Sequence, residues 1–195
     1  MKRKPSLLII IIALAICSCQ QPKEATPPLV DGNIDDFLQL GIEPIALAEG
    51  TKLYFYQNDH YVWIAYDYPE GSYGTLDLKL LTPNLTDTIN LHVSAQLGEW
   101  LLKEGAPKPD NSVSELWWNH EGWYANEVWM NGLDRSEDEV NPNWRNGKAR
   151  EIQISKVRFG KGEWKLQLNI RAIQTPDGFT GITFPEEGMH LLNAF

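Results

Sequence analysis

The chain has 195 residues, with 26 acidic against 17 basic side chains, a formal net charge of -9 and a sequence pI near 4.9. Its cations are scattered, so the clustered Lys and Arg that neutralise phosphates are missing and nucleic acid is excluded as a partner. Both cysteines, Cys17 and Cys19, lie near the start, so no disulfide staples the rest and stability must come from packing or a bound ion.

Lys2-Arg3-Lys4 precedes an apolar run from Leu7 to Ile16 that is too short to span a bilayer as a helix. A positive start, an apolar core and a small residue before the cut have the layout of a secretory signal. Ile16-Cys17-Ser18-Cys19 resembles a bacterial lipobox, which implies a signal peptide over 1–18, cleavage after Ser18 and acylation of Cys19. Gln20, rather than Asp, follows that cysteine, and by the same resemblance implies sorting to the outer membrane. Residues 19–28 are polar and proline-bearing, a tether that cannot bury enough apolar area to order itself. One domain over 29–195 is expected.

Asp31, Asn33 and Asp35 stand at alternate positions like the opening of a calcium loop, but Asp36 and Ile42 occupy the places of an EF-hand's glycine and distal glutamate. Two roles stay open for this acidic stretch: ligands of calcium completed from elsewhere, or capping of a short helix by Asp35 or Asp36. Helical turns are expected over Ile34 to Leu40 and near Leu97 to Lys103. From Lys52 the apolar period is two. Leu53 and Phe55 oppose Tyr54 and Tyr56, and Val62, Ile64 and Tyr66 oppose Tyr61, Trp63 and Ala65, with Asn58-Asp59-His60 as the hairpin turn. Leu76, Leu78 and Leu80 alternate with Asp77 and Lys79, and Ile89, Leu91 and Val93 with Asn90, His92 and Ser94. Ile152 and Ile154, then Leu166, Leu168 and Ile170, repeat the pattern. Half-buried strands of this kind belong to antiparallel sheets. The predicted fold class is therefore all-β, a two-sheet antiparallel sandwich of immunoglobulin or jelly-roll type.

Trp100, Trp117, Trp118, Trp123, Trp129 and Trp144 fall in a stretch where the alternation breaks down. Asn119, His120, Glu121, Asn126, Asn131, Asn143 and Arg145 surround them, with few aliphatic partners. Large rings need partners, and exposed ones cost solubility. Sugar rings stack on indoles while their hydroxyls need amides, carboxylates and guanidinium groups, which is this mixture. Trp117, Trp118, Trp123 and Trp144 are the stacking candidates, and Asn119, Asn126, Asn143 and Arg145 the hydroxyl partners. The alternative is a Trp-rich insertion with a small aromatic core of its own, capping one sandwich edge.

Val30-Asp31-Gly32-Asn33-Ile34-Asp35-Asp36, Lys52 to Asp59 and Tyr61-Val62-Trp63-Ile64-Ala65-Tyr66-Asp67 resemble the opening of family 9 carbohydrate-binding modules and their wider DOMON-type superfamily. Asp31, Asp36, Asp59 and Asp67 match the pattern, whereas Phe37 and Leu38 stand where the family usually has a Trp. The strand from Trp164 to Ile173 and the segment Gly181 to Phe184 fit the closing strands. The resemblance implies a β-sandwich, sugar recognition by aromatic rings and, in some members, calcium. Haem-binding relatives in the superfamily imply axial Met and His ligands, for which Met130 with His92, His120 or His190 are the candidates. Met189 and His190 are neighbours that would point to opposite faces of an extended chain, and His92 reads as an ordinary wet-face residue.

Enzyme chemistry has less support. His120-Glu121-Gly122-Trp123-Tyr124 begins like a zincin motif but carries Tyr124 in place of the second His. Neither a nucleophile elbow nor a phosphate loop occurs. Glu115, Glu121 and Glu127 could supply a glycosidase's carboxylate pair, whose separation a sequence does not give. The expected function is non-catalytic binding of a poly- or oligosaccharide by an exported lipoprotein. The alternatives are an assembly lipoprotein whose aromatic patch meets another protein, a haem-binding domain, and a glycoside hydrolase.

Overall fold

The structure, a computed structural model, describes residues 26–128 and 147–195, and of 133–135 and 140–142 the backbone alone. The lipobox, Cys19 and the first part of the tether lie outside the described residues, as do Trp129, Met130, Asn143, Trp144 and Arg145. In chain order the elements are α1 (Asp35–Gln39), β1 (Ile45–Ala46), β2 (Lys52–Gln57), β3 (Tyr61–Asp67), β4 (Thr75–Leu81), β5 (Ile89–Val93), β6 (Leu97–Leu101) and β7 (Trp123–Ala125). They continue with β8 (Leu133–Arg135), β9 (Val140–Pro142), β10 (Ala149–Ser155), α2 (Lys156–Phe159), β11 (Gly162–Thr175), β12 (Gly178–Phe184) and β13 (His190–Ala194).

Two antiparallel sheets face each other, the sandwich that the period-two pattern predicts. One has the order β1-β2-β3-β10-β7; the other runs β12-β11-β4-β5-β6, with β13 also paired to β11. The greasy faces of the alternating strands meet in one core: Leu53, Val62, Ile64, Ile152 and Ile154 from the first sheet, Leu76, Leu78, Leu80, Leu91, Leu166, Leu168 and Ile170 from the second. The predicted hairpin over 52–67 forms in register, with Gln57 opposite Val62. Asn58 closes it by accepting from the His60 and Tyr61 amides.

The two outward faces differ, and that difference positions the site. On the five-stranded sheet, α1 lays Phe37 on Tyr54, Trp63 and Ala65, making a second small core. The outward face of the six-stranded sheet carries Asp77, Lys79, Asn90, His92, Trp100, Gln167, Asn169 and Arg171, set by strict alternation with the buried leucines.

Three expectations are corrected. Leu97–Leu101 is strand β6 rather than a helical turn, because Leu97 and Gly98 pair with Val93 and His92 and turn Leu97 inward. The Trp-rich stretch is not wholly an insertion, since β7 inside it pairs with β10 as an edge of the five-stranded sheet. Neither Asp35 nor Asp36 caps α1; Asp36 accepts from the Leu29 amide, and Asn33 Oδ1 accepts from the Asp35 amide.

Candidate functional site

The site forms where the loop after β6 returns across the six-stranded sheet. Gly98 faces outward on β6, and a Cβ there would stand 2.9 Å from Trp117 Cε3 and 3.1 Å from Cζ3. Glycine is therefore required for the Trp117 indole to rest on the strand. Two bonds hold that indole in place: its Nε1 donates to the Asn111 carbonyl at 2.7 Å, and the Trp118 amide donates to the Leu97 carbonyl at 2.7 Å. His92 from β5 and Trp100 from β6 complete a three-ring cluster. His92 lies 5.2 Å from Trp117 and 5.7 Å from Trp100, and the two indoles meet edge-on at 6.3 Å. Trp117 and Trp100 are half-buried, while the neighbouring Trp118 is 51% exposed beside the exposed Asn119. Indole faces therefore reach solvent on a rigid strand floor.

Beside the rings lies a polar network centred on Asp77. His92 Nδ1 meets Asp77 Oδ1 at 2.7 Å, Asn90 Nδ2 donates to the same oxygen at 2.9 Å, and Arg171 pairs with Oδ2. Burial works against the Asp77 carboxylate, but the His92 and Asn90 hydrogen bonds and the charges of His92 and Arg171 outweigh it and hold its pKa below the ordinary value. A carboxylate on Nδ1 keeps the imidazole proton there and leaves Nε2 for another partner. His92 Nε2, Trp100 Nε1, Trp118 Nε1 and the side-chain amide of Asn169 make no hydrogen bond among the described residues. With the remaining N–H groups of the half-exposed Arg171, they are a supply of ligand donors and acceptors.

Only part of the sequence-predicted set gathers here. Trp117 and Trp118 do, and Asn119 is the exposed residue that follows Trp118 in the chain. Trp123 does not: it is 5% exposed, packs in the main core and donates from Nε1 to Glu99 Oε2 at 2.7 Å, because the register of β7 against Ile154 turns it inward. Asn126 is also interior. Its amide donates to the Ala149 carbonyl and accepts from the Glu151 amide, tying β7 to β10. Trp144, Asn143 and Arg145 lie outside the described residues. Sequence reasoning missed Gly98, Asp77, Asn90 and Arg171, and passed over His92 as an ordinary wet-face residue. The signal that finds them is cross-strand: they are the outward positions of adjacent strands once register is known.

The acidic N-terminal stretch is a network of short-range bonds. Asp31 Oδ1 accepts from the Asn33 amide, and Asn33 Nδ2 donates to Asp35 Oδ2. Beneath it the buried Glu151 accepts three amides on Oε2, from Asp31 at 2.9 Å, Gly32 at 2.6 Å and Asn33 at 3.2 Å. Burial outweighs these donors and, with the Asp31 charge, pushes its pKa up to about 8. Glu151 Oε1 has no hydrogen-bond partner among the described residues. Asp31, Asn33 and Asp35 are thus occupied locally, and among the described residues no three acidic, histidine or cysteine side chains are placed to hold an ion.

Glu115 and Glu121 are exposed, whereas Glu127 is buried, which pushes its pKa up. His120 Nδ1 meets the Trp123 carbonyl, and His190 stacks on Phe55 and beside Phe184. A hollow of about 960 Å³ lies between α1 and the turn after β3, with Asp35, Asp67, Glu70 and Lys148 in its wall. Among the described residues its wall offers charge but no exposed aromatic face.

No protein-family model matches the chain, and no curated protein matches it. A search of solved structures finds similarity to a carbohydrate binding module family 9 (CBM9) from Caldicellulosiruptor kristjanssonii in complex with cellotriose. The two chains are 10% identical, the match covers 81% of this chain and 80% of the other, and the TM-score is 0.42.

Proposed function

We propose that the protein is a non-catalytic carbohydrate-binding lipoprotein that holds a saccharide on the outward face of the six-stranded sheet. The observation that carries this reading is the Trp117 indole seated on Gly98, with His92, Trp100 and the exposed Trp118 around it and the Asp77 network alongside. A sugar's apolar face stacks on an indole, and its hydroxyls are met by His92 Nε2, Asn169 and the free N–H groups of Arg171. The lipobox ending at Cys19 supports anchoring in the bacterial cell envelope, at the outer membrane, with the tether holding the domain off the lipid. Titration of tryptophan fluorescence with a panel of neutral and acidic glycans tests the reading. A spectral shift that saturates with one glycan, and that Trp117→Ala abolishes, is expected; silence across the panel overturns it.

A second reading has its own observation. Leu101, Leu102, Val113 and Trp118 are all exposed on β6 and the loop that follows, an apolar set suited to a protein partner. Recovery of a stable protein complex from envelope extracts, lost with Trp118→Ala and paired with silence across the glycan panel, favours this alternative.

A further inference from the structure

We propose that the β12 edge of the six-stranded sheet docks a second copy of this chain, the two β12 strands pairing antiparallel into one continuous sheet. β12 is the last strand of its sheet, so one side of its backbone has no strand to bond. From Phe179 to Thr183 no backbone group makes a hydrogen bond among the described residues other than to β11. Phe179, Thr180, Gly181 and Thr183 are all exposed.

The neighbouring edges of this sheet are covered. The loop after β6 meets that strand through the Trp118 amide on the Leu97 carbonyl, and Gln57 Nε2 donates to the Asn193 carbonyl of β13 at 2.9 Å. Exposed edges are commonly blunted by lysine, proline, a bulge or an inward charge. β12 has none of these. It reads Gly-Phe-Thr-Gly-Ile-Thr-Phe, with no charged residue and no proline and with β-branched and aromatic side chains that suit a strand. Its register shift against β11 adds Ala172 to β11 and leaves β12 continuous.

Charge argues that the occupant is a copy. With a formal net charge of -9, two copies repel wherever their acidic surfaces meet, and an uncharged strand lets them approach with no like charges opposed. The strand is also its own complement. A two-fold axis at Gly181 sets Gly181 against Gly181, Thr180 against Ile182 and Phe179 against Thr183. Both members of each pair face the same side of the sheet, because they stand an even number of residues apart. Glycine leaves the axis clear. Phe179, 56% exposed, gains a β-branched neighbour on the outward face. On the inward side a hollow of about 280 Å³, lined by Ala46, Leu47, Ala48, Ile182 and Phe184, gives room to Thr180 of the second copy. The axis is perpendicular to the sheet, so the ring clusters around Trp117 in both copies face the same way.

Sedimentation equilibrium of the full-length protein in density-matched detergent, over about a hundredfold range of concentration, tests the proposal with two double variants. Phe179→Lys with Thr183→Lys opposes like charges twice across the seam while lowering the net negative charge of the chain. Phe179→Lys with Thr183→Glu opposes unlike charges at the same exposed positions. Matching thermal melts check that both variants keep the fold. Wild-type protein is expected to show a monomer–dimer equilibrium, weakened about tenfold or more in the first variant and within about threefold of wild type in the second. General repulsion between acidic surfaces predicts the reverse for the first variant. A monomeric wild type, or two variants that dimerise equally, overturns the pairing through β12.

Discussion

Gly98→Ala is the sharpest perturbation of the site, because it adds one methyl to the floor and removes no ligand group. The new Cβ would stand 2.9 Å from Trp117 Cε3, against the roughly 3.5–4.0 Å at which carbon atoms rest, so the indole must lift by about half an ångström or more. That movement works against the Nε1 bond to the Asn111 carbonyl and the Trp118 amide bond to the Leu97 carbonyl. Against it, alanine regains about 0.5–1 kcal/mol of backbone entropy lost by a glycine in a strand. Net stability should therefore change by less than about 1 kcal/mol. Binding should suffer more: loss of a well-seated ring is worth about 1–1.5 kcal/mol, or about tenfold in Kd. Urea denaturation gives the first quantity and fluorescence titration with the bound glycan gives the second. An unchanged Kd, with near-ultraviolet circular dichroism showing that the tryptophan environment has moved, would refute the placement of the ligand on Trp117.

Three further outcomes follow from the buried polar groups. Arg150, fully buried, donates to the carbonyls of Gly74, Tyr73 and Asn126 and to the Tyr68 hydroxyl, so Arg150→Met should cost about 3–5 kcal/mol in urea denaturation; a loss under about 1 kcal/mol would contradict that role. Glu151 holds its proton up to about pH 8 when folded and to about 4.5 when unfolded, so its contribution is complete below pH 4.5 and stability falls as pH rises toward 8. Thermal melts across that window should show the decline and Glu151→Gln should flatten it, whereas equal slopes in both proteins would count against a protonated Glu151. Asn126→Leu should cost about 1–3 kcal/mol by orphaning the Glu151 amide, while the Ala149 carbonyl keeps the Tyr68 hydroxyl, with Kd for the glycan unmoved; a large fall in affinity would return Asn126 to the ligand face.

What was legible in the sequence was the side of each strand that faces the core. Leu76, Leu78 and Leu80 alternate with polar residues, and period two has one structural meaning when one face is buried. The tryptophans were harder because their surroundings carry no period. Trp117 and Trp123 sit in similar company, yet one rests on an outward glycine and the other fills the core, a difference set by pairing of β7 with β10. The Asp77 network was illegible for the same reason: Asp77, Asn90, His92 and Arg171 come from three strands and meet only through register. Leu97–Leu101 misread as helical because Gly98 and Trp100 mask its alternation, whereas the position of Gly98 under an indole explains why glycine stands there.

Hydroxyl-radical footprinting of the protein, alone and saturated with its glycan, locates the ligand directly. Protection is predicted at Trp100, Trp117, Trp118 and His92. Protection confined instead to Leu38, Tyr68 and Pro69, in the hollow beside α1, would contradict the placement of the site on the six-stranded sheet.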